Sequence, residues 1–159
     1  MAVTARFVVA RGRLPAGAHR SGYERDHKLL FVARAKVEGG VHIGKTRADW
    51  KAAAIPYGGK EVWTAEFEVW VPPLSNKAGG AWSTTPVNNA VAAGNEADGT
   101  PLYPARAWHE GGLHLGKWRA DWSAASISYA GAEIWAPKFE VLTASTYIDG
   151  DDAFAWENN

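Results

Sequence analysis

Over residues 61–70 large apolar and polar side chains alternate. Trp63, Ala65, Phe67 and Val69 share one parity, and Thr64, Glu66 and Glu68 the other. A period of two marks a half-buried strand, because successive side chains of extended backbone point to opposite faces. The pattern predicts a strand here with the tryptophan parity inward. The same spacing recurs downstream, with Trp135, Pro137, Phe139 and Val141 predicted inward. LLFVARAKV, residues 29–37, also reads as a strand, and the short apolar run FVVA at residues 7–10 as a first strand. Turns are punctuated by adjacent glycines: Gly39 with Gly40, Gly58 with Gly59, Gly111 with Gly112. RADWKAAA has the propensity for one or two helical turns, but it is flanked by glycine turns and cut by Pro56.

The two alternating segments belong to a longer duplication. Residues 29–70 match residues 101–142 at a constant offset of 72, and 24 of the 42 positions are identical. The match runs upstream without a gap, aligning Ala18, Gly22, Glu24 and Asp26 with Ala90, Gly94, Glu96 and Asp98. The chain therefore divides into a first repeat with an N-terminal strand (1–70), a linker with a short strand around Trp82 (71–89), a second repeat (90–142) and an acidic tail (143–159) in which Trp156 could act as an anchor. A copy of about 50 residues buries too little apolar surface to stand alone. The expected architecture is all-β, with antiparallel sheets from the two copies related by a pseudo-twofold axis.

Composition narrows the function. Lys and Arg total 17, as do Asp and Glu, so the formal net charge is +0 and no basic stripe offers itself to nucleic acid. With no cysteine there is no disulfide, thiolate metal site or cysteine nucleophile. No apolar run approaches the roughly 20 residues of a membrane helix. The apolar stretch near the N-terminus is too short for a secretory signal, so the expected address is cytoplasmic, with any release non-classical. The 9 tryptophans are expected mostly in the core.

Two segments imitate catalytic motifs. GGVHIGKT, from Gly39 to Thr46, satisfies the phosphate-loop pattern, making nucleotide binding a remote alternative. The second copy reads GGLHLGKW from Gly111 to Trp118 and loses the Mg²⁺-binding hydroxyl. His109-Glu110 followed by Gly111, Gly112, Leu113 and His114 resembles a zinc-protease helix, but its histidines are five apart and its glycines break a helix. The histidines retained in both copies, His42 and His114, read as turn residues bonded to backbone. No nucleophile elbow is present. Asp26 with Glu38 could form a glycosidase pair, but small duplicated β modules seldom enclose the necessary cleft. The reading is a non-enzyme with no catalytic residue, metal or cofactor.

The other polar positions kept in both copies include Glu24/Glu96, Asp26/Asp98, Arg34/Arg106, Glu38/Glu110, Lys45/Lys117, Arg47/Arg119, Asp49/Asp121 and Glu61/Glu133. Mixed signs beside glycine turns suit a neutral polyhydroxyl ligand, since carboxylates accept from vicinal hydroxyls and lysines donate to them. Arg34, Arg47, Asp49 and Glu61 read better as internal ion pairs. A non-enzymatic protein-interaction or structural module, in which all these charges stabilise the fold, is the competing reading.

The blocks A-x-x-x-G-x-E-x-D, L-[FY]-x-A-R-A-x-x-E-G-G-x-H-x-G-K, P-Y-G-G-K-E and F-E-V resemble the DM9 repeat, twice over, at residues 18–70 and 90–142. The resemblance implies a mannose-binding lectin of the pattern-recognition kind, with an all-β pseudo-twofold pair of intertwined repeats that often dimerises further. Carried over by position, it implies sugar contacts from Asp26 with Lys45 and from Asp98 with Lys117. Glu38 or Glu110 of the E-G-G block would be a third contact. The chain departs from the family at Trp50, Trp118 and Trp122, and at Asp26-His27 where the second copy keeps Asp98-Gly99. These departures bear on which sugar fits.

Overall fold

The structure is a computed structural model that describes residues 6–72, 81–85 and 89–144. Within them every regular element is a strand. The first half contributes β1 (Phe7–Val9), β2 (Arg20–Tyr23), β3 (Leu29–Val37), β4 (Gly40–Thr46), β5 (Ala53–Tyr57), β6 (Lys60–Thr64) and β7 (Glu68–Trp70). The second contributes β8 (Ala81–Ser83), β9 (Gly94–Asn95), β10 (Pro101–His109), β11 (Gly112–Trp118), β12 (Ala125–Tyr129), β13 (Ala132–Ala136) and β14 (Glu140–Thr143).

Four tight hairpins set the registers. Their two-residue tips are Glu38-Gly39 (φ 47° and 83°), Gly58-Gly59 (61° and 84°), Glu110-Gly111 (48° and 79°) and Ala130-Gly131 (51° and 89°). Two successive positive φ values match the twist of the flanking strands. The tips thus lie one residue earlier than the glycine pairs at Gly39 and Gly111 suggest. Gly40 and Gly112 already belong to strands, and glycine is needed there for another reason: a Cβ on Gly40 would sit 2.5 Å from the Asn95 carbonyl oxygen.

The pairing is one continuous antiparallel network. β2, β3, β4, β9, β10 and β11 close a six-stranded ring. The ring depends on exchange between repeats, because β2 pairs with β11 at Tyr23 and Leu113 while β9 pairs with β4 at Asn95 and Val41. At the two crossings a Cβ on Gly22 would stand 2.2 Å from the Leu113 oxygen, and one on Gly94 2.3 Å from the Val41 oxygen. The β5-β6 and β12-β13 hairpins meet through β6 and β13 and bridge β4 to β11. β7 and β14 flank β3 and β10, with β1 and β8 outermost.

The cores follow this exchange. One is shared, formed by Leu30, Val32, Ile43 and Trp70 from the first repeat with Val91, Leu102, Leu115 and Leu142 from the second. Each repeat adds a flank of its own, around Phe31, Ile55 and Val69 in the first and around Ala105, Ile127 and Val141 in the second. The nearly unbroken burial of β3 arises because both its faces are covered. The strand around Trp82 is present as β8, where Arg106 lies 4.4 Å from the Trp82 ring as Arg34 lies 4.1 Å from Phe7.

Two local expectations are corrected, and the helical propensity of RADWKAAA goes unrealised. The alternation over residues 61–70 spans two strands with a bend at residues 65–66, and the bend resets the parity. Phe67 and Val69 are buried, but Trp63 and Ala65 face solvent, as do Trp135 and Pro137 in the second copy. RADWKAAA forms a single turn closed by the Trp50 N–H to the Arg47 carbonyl, and β5 follows at once. Most tryptophans are not fully inside: Trp70 is buried, Trp50, Trp82, Trp118 and Trp122 are half-buried, and Trp63, Trp108 and Trp135 are exposed. Trp156 and the tail lie outside the described residues.

Candidate functional site

The side chain of Lys45 on β4 is 2% exposed, an unusual place for an amine. Its ammonium donates to Nδ1 of His114 at 2.9 Å and to the Ser128 carbonyl at 2.7 Å, both from the opposite repeat. Glu61, from its own repeat, stands 3.9 Å away with a carboxylate that also accepts the Gly131 N–H. The Tyr129 ring centroid lies 5.9 Å from the ammonium. Glu24, in the turn after β2, approaches His114 to 3.7 Å and accepts from Arg47 at 3.1 Å; Arg47 also binds Asp49 through two bonds. A buried charge needs such company, because desolvation is costly unless donors and acceptors are matched.

An open cavity of about 400 Å³ adjoins this cluster, lined by Glu24, Arg25, Asp26 and Tyr129. Asp26 stands on its rim in a turn fixed by the Lys28 N–H to its carboxylate at 3.1 Å. The tip Glu110-Gly111 arrives from the other repeat, since a Cβ on Gly111 would lie 3.1 Å from the Arg25 side chain. His109 adds an imidazole 4.9 Å from the Tyr129 ring.

The pseudo-twofold axis generates the counterpart. Lys117 donates to Nδ1 of His42 at 2.8 Å, with the Tyr57 ring at 5.2 Å, and Glu96 stands 3.7 Å from His42. Arg119 joins Glu96 to Asp121. Asp98 accepts both donors of Thr100, which holds its carboxyl below the usual range. The two sites differ in detail. Glu133 is drawn to the Ser126 hydroxyl at 2.5 Å, where the first repeat has Ala54, and Val37 replaces His109.

Burial sets the protonation states. It pushes Lys45 down to about 8, opposed by Glu61 and Glu24, and Lys117 down to about 8, opposed by Glu133 and Glu96. Burial and then the facing lysine lower His114 to about 3 and His42 to about 4. At neutral pH the lysines are charged and the imidazoles neutral. Because Nδ1 accepts, the ring proton resides on Nε2. In His114 that nitrogen is buried and finds no acceptor among the described residues.

Of the residues singled out from the sequence, Asp26 and Lys45 border one site, and Asp98 and Lys117 belong to the other. The E-G-G glutamates are exchanged: Glu110 accompanies the Asp26 turn, and Glu38 lies beside the Asp98 turn, where Gly39 adjoins Ala97. His42 and His114 are buried strand residues bonded to lysine, not turn residues bonded to backbone. Their spacing in H-x-G-K was the available signal. Tyr57 and Tyr129, also kept in both copies, passed unnoticed because they sit beside turn glycines. Arg34 pairs with Glu68 at 2.8 Å, so it, Arg47, Asp49 and Glu61 do form internal pairs. GGVHIGKT is a β-hairpin and strand, and the Thr46 hydroxyl bonds the Ala52 carbonyl; no helix N-terminus is there to hold a phosphate. No cluster of metal-ligating side chains occurs among the described residues.

The DM9 repeat family model matches residues 3–64, 24–136 and 97–158. No curated protein matches the sequence. Among solved structures, the nematode sperm cell motility protein MFP2B superposes with a TM-score of 0.66 at 17% identity, over 92% of this chain and 48% of that one. The chain thus spans about half the length of that protein, and the likeness is one of fold.

Proposed function

Because this chain belongs to the DM9 repeat family, we propose that it is a non-enzymatic lectin recognising mannose-type glycans through two pseudo-equivalent sites. The observation that carries the reading is the cavity lined by Glu24, Arg25, Asp26 and Tyr129, which borders the buried cluster around the Lys45 ammonium. Its volume of about 400 Å³ suits one or two sugar rings. Carboxylates at Glu24, Asp26 and Glu61 disfavour a phosphate, whereas a vicinal diol can donate to Asp26 and accept from Lys45. Both bonds are charge-assisted and directional. Two bonds hold the ammonium in place beside the Glu61 carboxylate, and Glu24 and Tyr129 join this cluster to the cavity. Glu110 of the exchanged hairpin is the third contact at this site, and Glu38 at the Lys117 site.

Each open polar site releases little apolar area from water, so single-sugar affinity is weak. Strength comes from engaging both sites, or those of a homodimer, on one branched glycan. A glycan array comparing wild type with Asp26→Ala/Asp98→Ala tests this. Mannose-type spots bright for wild type and dark for the folded double mutant are expected. A blank array from folded wild type refutes the lectin reading and directs attention to a protein partner.

A further inference from the structure

The exposed tryptophans raise a question that the Lys45 site does not answer. Trp63 is 52% exposed, yet it is held firmly. Its ring meets Trp50 at 4.9 Å and 74°, Arg47 lies 4.9 Å from the Trp50 ring, and Arg47 is itself fixed by Asp49 and Glu24. An indole kept rigid at the surface binds with little further loss of rotamer freedom. Beside it opens a second cavity of about 400 Å³, lined by Lys36, Trp63, Thr64, Ala65 and Glu66.

We propose that this is a second carbohydrate subsite, in which the Trp63 indole stacks on a gluco-configured pyranose while Glu66 and Lys36 bond its hydroxyls. A pyranose with equatorial hydroxyls presents axial C–H bonds on each face, and these meet the electron-rich face of an indole. The ring's edge carries the hydroxyls outward, where a carboxylate accepts and an ammonium donates. Mannose, with its axial 2-hydroxyl, retains one such face, so the edge contacts of Glu66 and Lys36 rather than the stacking set which sugar is preferred. A protein partner fits less well: one indole between exposed charges is far short of the ~800 Å² per partner of an ordinary interface.

The second repeat supplies an internal control. Trp135 is set like Trp63, 4.9 Å from Trp122 with Arg119 behind it. Its flank differs at four positions: Trp108, Ala136, Pro137 and Lys138 replace Lys36, Thr64, Ala65 and Glu66. The carboxylate and hydroxyl are gone, so the subsite exists on the first repeat alone.

The test is a calorimetric titration of the full chain with cellotetraose, accompanied by indole N–H NMR spectra. Wild type should bind one equivalent with the Trp63 resonance shifting, and Trp63→Ala should weaken binding at least tenfold while Trp135→Ala leaves it unchanged. Glu66→Lys, an exposed change outside the tryptophan pair, should weaken binding severalfold and keeps the test decisive if Trp63→Ala does not fold. Asp26→Ala/Asp98→Ala should still bind cellotetraose, which separates this subsite from the mannose-type sites. No binding by wild type, or equal binding by wild type and Glu66→Lys, overturns the proposal.

Discussion

At the scale of single residues, the chain stores its chemistry as buried lysine–imidazole pairs reaching across the two repeats. The imidazoles are neutral in the fold because burial and the facing ammonium oppose their protonation. An unfolded chain has ordinary histidines near 6.5 and binds more protons from that pH down to about 4. Stability must therefore fall as the pH falls through this window. The melting temperature should decline from pH 7 to pH 4.5, before most carboxylates titrate, and the decline should flatten in a folded His42→Gln/His114→Gln variant. The lysines act with the same sign at higher pH. Folded at about 8 against 10.5 unfolded, they make stability rise from pH 8 to pH 10.5. A second residue-scale prediction concerns His27, which adopts φ 73° where the second repeat has Gly99 at φ 92°. Left-handed backbone costs a side chain about 1–2 kcal/mol. His27→Gly should raise the melting temperature by about 2–4 °C, reduced somewhat by the lost ring contact with Tyr23.

At the scale of elements, retained glycines decide which strands can cross. A Cβ on Gly44 would lie 2.0 Å from the Ala54 oxygen, and one on Gly116 1.9 Å from the Ser126 oxygen. Both neighbours are backbone and cannot swing aside. Gly44→Ala or Gly116→Ala should each cost about 1–3 kcal/mol or more, measured by chemical denaturation, whereas Gly58→Ala meets no atom and suffers only the backbone strain of its positive φ. These contacts explain what could be read in advance. Strand identity in β3 was legible from its apolar run, and the repeat carried it over to β10. The facing of Trp63 was not legible, because a two-residue bend inside an apparently continuous alternation reverses the parity. Nor did the pattern show why Gly40 is needed, since its constraint comes from Asn95 in the other repeat.

At the scale of the whole molecule, the repeats are not separable bodies. β2 and β9 each pair with the other repeat, and the shared core draws on both. Residues 1–76 and 77–159 expressed apart should each lack a cooperative melt, and mixing them should restore one. This exchange also limited the reading of the site. Asp26 and Lys45 could be grouped because one repeat carries both, but His114, Tyr129 and Glu110 reach them only through the crossed strands. The central claim is that each crossed site binds one sugar residue. Its most direct test is the calorimetric stoichiometry of a mannose-type oligosaccharide, too short to bridge the sites, titrated into wild type, Asp26→Ala, Asp98→Ala and the double variant. The account predicts two, one, one and zero equivalents for folded proteins. Two equivalents throughout would contradict it.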